Sequence, residues 1–101
     1  MTEVDAARVA DALLAAVGGV GNIALLTRCW ARLRFELVNP DAVDRDAVSA
    51  VPEVVLGVHQ HGQFQVVLRA GLLETFAALE NLLLQPRPAQ DRRDEDAPYE
   101  R

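Results

Sequence analysis

Lysine is absent from this chain of 101 residues, and cysteine, tryptophan and tyrosine occur once each. One cysteine cannot form an internal disulfide, so nothing argues for an oxidising compartment. No apolar run approaches the roughly 18 residues of a membrane span, so no direct membrane insertion is expected. Residues 1–5 carry two acids and no basic n-region of a signal peptide. The expectation is a soluble cytoplasmic protein. A formal net charge of −5 argues against a general nucleic-acid binder, whose affinity comes mainly from cations on phosphates. His59 and His61 bring a metal pair to mind, but one cysteine and no nearby carboxylate cluster make a poor zinc set. They read as solvated hairpin residues, and neither metal nor cofactor is expected.

A further absence is local. From Ala12 to Phe35 there is no carboxylate, although the chain as a whole is acidic. Inside that stretch lies the single thiol, Cys29, with Arg28 before it and Arg32 and Arg34 after it. Neighbouring positive charge lowers a thiol's pKa and raises its thiolate fraction. Guanidinium groups match phosphate oxygens in a bidentate way, so a thiolate among them suits attack on an anionic electrophile, phosphate above all. Each residue also has a plainer reading. A lone cysteine in a cytosolic domain is often a small buried hydrophobe. Arg32 and Arg34 on one side of a strand can be no more than a solvated face.

One domain accommodates this length. Thr2 with Asp5 three residues on reads as a capping box. Ala6, Val9, Ala10, Leu13, Leu14 and Val17 then recur at helical spacing, and Gly18-Gly19 ends the helix. The glycines at 18, 19 and 21 follow a helix rather than a strand, the wrong order for a dinucleotide loop, and read as a turn. Residues 23–27 are a short apolar run between turn signals, a strand. Residues 32–38 alternate, with Leu33, Phe35 and Leu37 on one side and Arg32, Arg34 and Glu36 on the other. Cys29, Trp30 and Ala31 therefore form the connection, an accessible tip held by rigid flanks.

After a turn at Asn39-Pro40-Asp41, Asp44 caps a short helix from 45 to about 51 that points Ala47, Val48 and Val51 inward, and Pro52 stops it. Residues 54–59 and 63–68 are strands joined by a Gln60-His61-Gly62 turn. In the last strand Phe64, Val66 and Leu68 face the core, and Gln65 shares the other side with Arg32 and Arg34. Leu72, Leu73, Phe76, Ala77, Leu79, Leu82 and Leu83 give a closing helix. Residues 85–101 hold prolines, mixed charge and one aromatic, and read as a disordered tail after a domain of residues 1–84. The fold class is α+β: a four-stranded antiparallel sheet with three helices on one face, in the order α-β-β-α-β-β-α.

Taken together, these residues resemble the IIB domain of the glucose/N-acetylglucosamine/β-glucoside branch of the bacterial phosphoenolpyruvate-dependent sugar phosphotransferase system. The family's Gly-Gly-x-x-Asn-Ile segment after its first helix is matched by Gly18-Gly19-Val20-Gly21-Asn22-Ile23. Its Cys-x-Thr-Arg-Leu-Arg signature is matched by Cys29-Trp30-Ala31-Arg32-Leu33-Arg34, and its Gln-Val-hydrophobic stretch by Gln65-Val66-Val67. The resemblance covers roughly residues 13–83. It implies a phosphocysteine relay in which Cys29 takes a phosphoryl group from a phosphohistidine on a IIA donor protein. Cys29 would then pass it to a sugar bound by a membrane IIC permease, the domain working at the inner face of the cell membrane. Backbone N–H groups around Trp30 and Ala31 would cradle the phosphate. Arg32 and Arg34 would supply cationic hydrogen bonds or dock an acidic rim, Trp30 would meet the partner, and Gln65 would stand behind them.

The sequence also departs from the pattern. Ala31 stands where the family usually has threonine, and loss of a phosphate-binding hydroxyl costs on the order of 1–3 kcal/mol. Trp30 replaces a commonly small or aliphatic residue, and Arg69-Ala70 replaces a usual glycine. Two alternatives to a carrier therefore stay open: a non-catalytic regulatory or interaction module that keeps the fold but transfers phosphate poorly, and a thiol redox sensor acting through Cys29.

Overall fold

The protein is described from a computed structural model, in which residues 5–84 are described. The first helix, α1, runs Ala6–Ala16, and Asp5 itself is its N-cap, its carboxylate accepting the Arg8 N–H at 3.1 Å. This corrects the expected capping box: Asp5 is the capping residue and not the third residue of the helix. Thr2 lies outside the described residues. Val9, Ala10, Leu13 and Ala16 form the buried stripe. The helix ends as the glycines require. Gly18 N–H donates to Ala15 O and Gly19 N–H to Leu14 O, with Gly18 at φ 108°, a Schellman arrangement.

Strand β1 (Ile23–Arg28) and β2 (Arg32–Leu37) form the first hairpin, and β3 (Val54–Gln60) and β4 (Gln63–Leu68) form the second. The strands lie in the order β1-β2-β4-β3, and every neighbouring pair is antiparallel. The hairpins are joined through β2 and β4, with Arg34 opposite Gln65 and Phe35 opposite Phe64. The second hairpin turns on two residues and not the expected three. His61 at φ 55° and Gly62 at φ 76° both take the positive values of a type I′ turn, so Gln60 stays within β3. Val38, expected in β2, lies just past its end and is exposed.

Period-two alternation puts Leu33, Phe35, Phe64, Val66 and Leu68 on one face of the sheet. There they join Val9, Leu13 and Val17 from the first helical segment and Leu79 from the last in one core. The helix α2 (Arg45–Ser49) adds Val48, and Val51 follows beyond its end. Gly57 of β3 leaves room for Phe64 and for Val48 of α2. A Cβ built there would lie 2.8 Å from Phe64 Cζ and 3.1 Å from Val48 Cγ1. The closing helix α3 (Leu72–Leu84) buries Thr75 and Leu79, while Leu73 and Ala77, expected inward, face out. A helix lying on a flat sheet buries a narrower stripe than its apolar residues cover. All three helices thus share one face, and among the described residues nothing covers the opposite face of the sheet. The reading of residues 85–101 falls outside the described residues.

Candidate functional site

The β1–β2 hairpin presents Cys29 at its tip. Arg28 pairs with Leu33 at the last rung of the ladder, and Cys29 N–H donates to Arg32 O at 3.0 Å, closing the connection. Trp30 extends from this turn with 96% of its surface exposed, and Ala31 is exposed beside it. Cys29 is half-buried and free of any disulfide. The thiol is held below its ordinary pKa first by the Ala31 backbone N–H, then by the Arg32 backbone N–H and by the Arg34 side chain and its charge. Partial desolvation opposes these. Main-chain donors converging on one sulfur form the kind of amide cradle that favours an anion.

The arginines expected as a group around the sulfur are divided by the fold. Arg28 alternates to the helix-covered side of β1 and sets its guanidinium over the Phe76 ring, 5.5 Å from the centroid. Arg34 alone brings its side chain to the thiol. Its Nε is buried and without a hydrogen-bond partner among the described residues. Arg32 touches the sulfur through its backbone only. Its Nη1 donates instead to Gln65 Oε1 at 2.8 Å and Gln60 Oε1 at 3.1 Å.

Gln65 shares its side of the sheet with Arg32 and Arg34, as the alternation expects. It stands on the uncovered face but is only 4% exposed, because Arg32 lies across it. Its Nε2 donates to Gln63 Oε1 at 3.1 Å, and Gln63 in turn reaches Glu36 at 3.4 Å. The structure therefore joins Cys29, Ala31, Arg32 and Arg34 at the tip, and connects Gln65 to it only through Arg32. Trp30 makes no hydrogen bond to this group and stands free of it.

Two residues escaped the sequence reading. The sequence places Gln60 in a turn, and only the neighbouring of β3 and β4 brings it to Arg32. Asn22 was a motif letter without a role. In the fold it is buried, its Nδ2 donating to Val17 O at 2.8 Å and Asn39 O at 3.0 Å, its Oδ1 accepting Asn39 N–H at 2.7 Å. The signal was a polar residue between two glycines and an apolar strand, where an amide serves turn backbone well. His59 packs on Phe64 with ring centroids 4.9 Å apart and brings no ligand set to His61. Among the described residues no group of three or more His, Cys, Asp or Glu gathers to hold a metal, and no helix is long and apolar enough to cross a membrane.

A four-stranded antiparallel sheet backed by three helices, with one thiol of lowered pKa at a hairpin tip, makes an α+β domain. A family profile described as phosphotransferase system, EIIB, matches residues 11–44, which include the first hairpin and its cysteine. The PTS system N-acetylmuramic acid-specific EIIBC component of Vibrio parahaemolyticus is 32% identical over 88 residues, 87% of this chain and 18% of that protein. The PTS system trehalose-specific EIIBC component of Bacillus subtilis is 41% identical over 59 residues, 58% of this chain and 13% of that protein. A crystal structure of one domain of the PTS system IIabc component from Clostridium difficile superposes with a TM-score of 0.72. It is 25% identical, and the match covers 90% of this chain and 99% of that one. The chain belongs to the EIIB family of the phosphotransferase system, in its glucose branch. It spans less than a fifth of the length of the EIIBC relatives it matches.

Proposed function

We propose that this domain is a phosphoryl carrier of a sugar phosphotransferase system, with Cys29 as the phosphorylated residue. The observation that carries the reading is the accessible thiol lowered in pKa by two backbone N–H groups and one guanidinium, that of Arg34. In the first step the P–N bond of a IIA phosphohistidine breaks as the S–P bond to Cys29 forms. In the second the S–P bond breaks as a sugar hydroxyl oxygen takes the phosphorus. The sulfur recovers its electron pair, and the hydroxyl proton passes to a base on the acceptor side. Both steps ask for alignment and charge neutralisation more than for covalent chemistry.

The Ala31 and Arg32 N–H groups are suited to hold an equatorial phosphate oxygen, and Arg34 to offset the charge that arrives with it. Trp30 is suited to docking, since a large exposed aromatic at a rigid tip is a typical anchor of small interfaces. Gln65 supports Arg32 and lies too deep to touch a partner. The EIIBC names of the relatives favour a membrane IIC permease as acceptor, with this domain on the cytoplasmic side beside it. A IIA protein follows as donor.

The test is incubation with phosphoenolpyruvate, the general phosphotransferase proteins and a glucose-branch IIA protein, followed by intact-mass measurement. One added phosphate that disappears in Cys29→Ser is expected. A wild-type chain that stays unmodified while a control IIB domain is labelled would refute the carrier role. It would favour the regulatory module, for which the methyl of Ala31 in place of a hydroxyl is the supporting observation.

A further inference from the structure

The side chain of Arg32 does not point where its place in the cysteine motif suggests. The strand order puts Cys29 at one end of β1 and Gln60 on β3, at the opposite edge of the sheet. With about 4.8 Å between neighbouring strands, those edges are roughly 14 Å apart. Gln65 stands opposite Arg34, and Gln60 opposite Gln63, each successively farther from the tip than Val67, the register partner of Arg32. The Arg32 guanidinium therefore runs diagonally over β4 toward β3. There Nη1 gives both of its hydrogens to the Gln60 and Gln65 side-chain oxygens. Its other N–H groups have no protein partner among the described residues.

We infer that Gln60 is a positioning residue which, together with Gln65, parks Arg32 away from the empty thiol and yields it when a dianion arrives on Cys29. Two neutral amide oxygens hold a guanidinium less strongly than phosphate oxygens do, because hydrogen bonds between charged partners are about twice as strong. The tether therefore suits one charge state of the sulfur and is outcompeted in the other. The free thiolate keeps Arg34 alone. A phosphorylated sulfur would gain Arg32 as well, and the surface left around Gln60 and Gln65 would change with it. A carrier that must leave one partner for another is thereby given a difference between its two states. The phosphoryl half of this inference rests on the carrier reading. The tether does not, and it is testable without any partner protein.

The probe is a pair of alkylating agents of similar size, anionic iodoacetate and neutral iodoacetamide, reacting with Cys29. Both need the thiolate, so their rate ratio cancels the thiol pKa and reports the positive charge beside the sulfur. Gln60→Leu removes one acceptor at an exposed position and is expected to raise the iodoacetate-to-iodoacetamide ratio by about three-fold as Arg32 swings toward the tip. Gln60→Glu keeps an acceptor and is expected to leave the ratio at or below the wild-type value. Adding Arg32→Met to Gln60→Leu is expected to abolish the rise. A ratio unchanged by Gln60→Leu, or a rise that survives Arg32→Met, overturns the tether. Failure of Cys29 to accept phosphate overturns the carrier reading and leaves these alkylation ratios as they are.

Discussion

The side-chain amide of Asn22 pairs with both backbone groups of Asn39, accepting its N–H at 2.7 Å and donating to its C=O at 3.0 Å. The same amide nitrogen reaches Val17 O at 2.8 Å, and Asn22 O accepts the Val38 N–H at 2.9 Å. One residue thus fastens the end of α1 to the exit of β2, at the opposite end of that hairpin from Cys29. A Cβ on Gly18 would lie 2.7 Å from that amide nitrogen, so the glycine is required by Asn22 as well as by its own φ.

Asn22→Ala should therefore destabilise the domain by about 1–3 kcal/mol, since it removes three hydrogen bonds to turn backbone, of which the one to Val17 O is buried. Urea denaturation followed by far-UV circular dichroism measures it. A loss below about 0.5 kcal/mol would mean that the turn relaxes to satisfy itself.

Gly57→Ala should destabilise by about 1–3 kcal/mol, because the added methyl meets Phe64 and Val48 in a packed core. Pairing it with Val48→Ala should recover part of the loss by making room. The comparison is of melting temperatures of the two single variants and the double one.

Cys29 should be alkylated by iodoacetamide at neutral pH faster than an unperturbed thiol, and Arg34→Met should slow it. Arg34 lowers the thiol pKa, so removing it raises the pKa and cuts the thiolate fraction on the acid side of the titration. The gap between the two proteins should close once the pH is high enough to ionise both. The folded pKa lies below the unfolded one, so the linked stability is present at high pH and is lost as pH falls through the folded value. A pH–rate profile with the same midpoint in both proteins would remove Arg34 from the site.

Trp30→Ala should raise the IIA concentration needed for half-maximal phosphorylation by roughly 10- to 100-fold, the usual range for an aromatic anchor. As the chain has a single tryptophan, its emission reports docking directly. In Cys29→Ser, which cannot turn over, a IIA protein should shift the emission to the blue. Unshifted emission at saturating IIA would show that the indole stays in water.

Much of this was readable along the chain. Leu33, Phe35, Phe64, Val66 and Leu68 betrayed a sheet with one buried face through their alternation, and Asp44 and Pro52 bracketed a short helix as local rules require. Asp5 was misplaced by three residues of helix register, since several acids and hydroxyls near a helix start compete as caps. The depth of Gln65 is not legible in the sequence, because alternation says which face a residue takes and nothing about what will lie over it.

The amino-acid order by itself determined the seven elements, the sheet face that the helices cover and the placing of the only thiol on a tip. These follow from hydrogen bonds and side-chain periods that span a few residues. Only the tertiary structure decided which arginine serves the sulfur. Arg28, Arg32 and Arg34 are near-equivalent in sequence, yet one is drawn to Phe76, one to Gln60 and Gln65, and one to Cys29. The partners that separate them come from α3, β3 and β4, and distant segments meet only when the core closes.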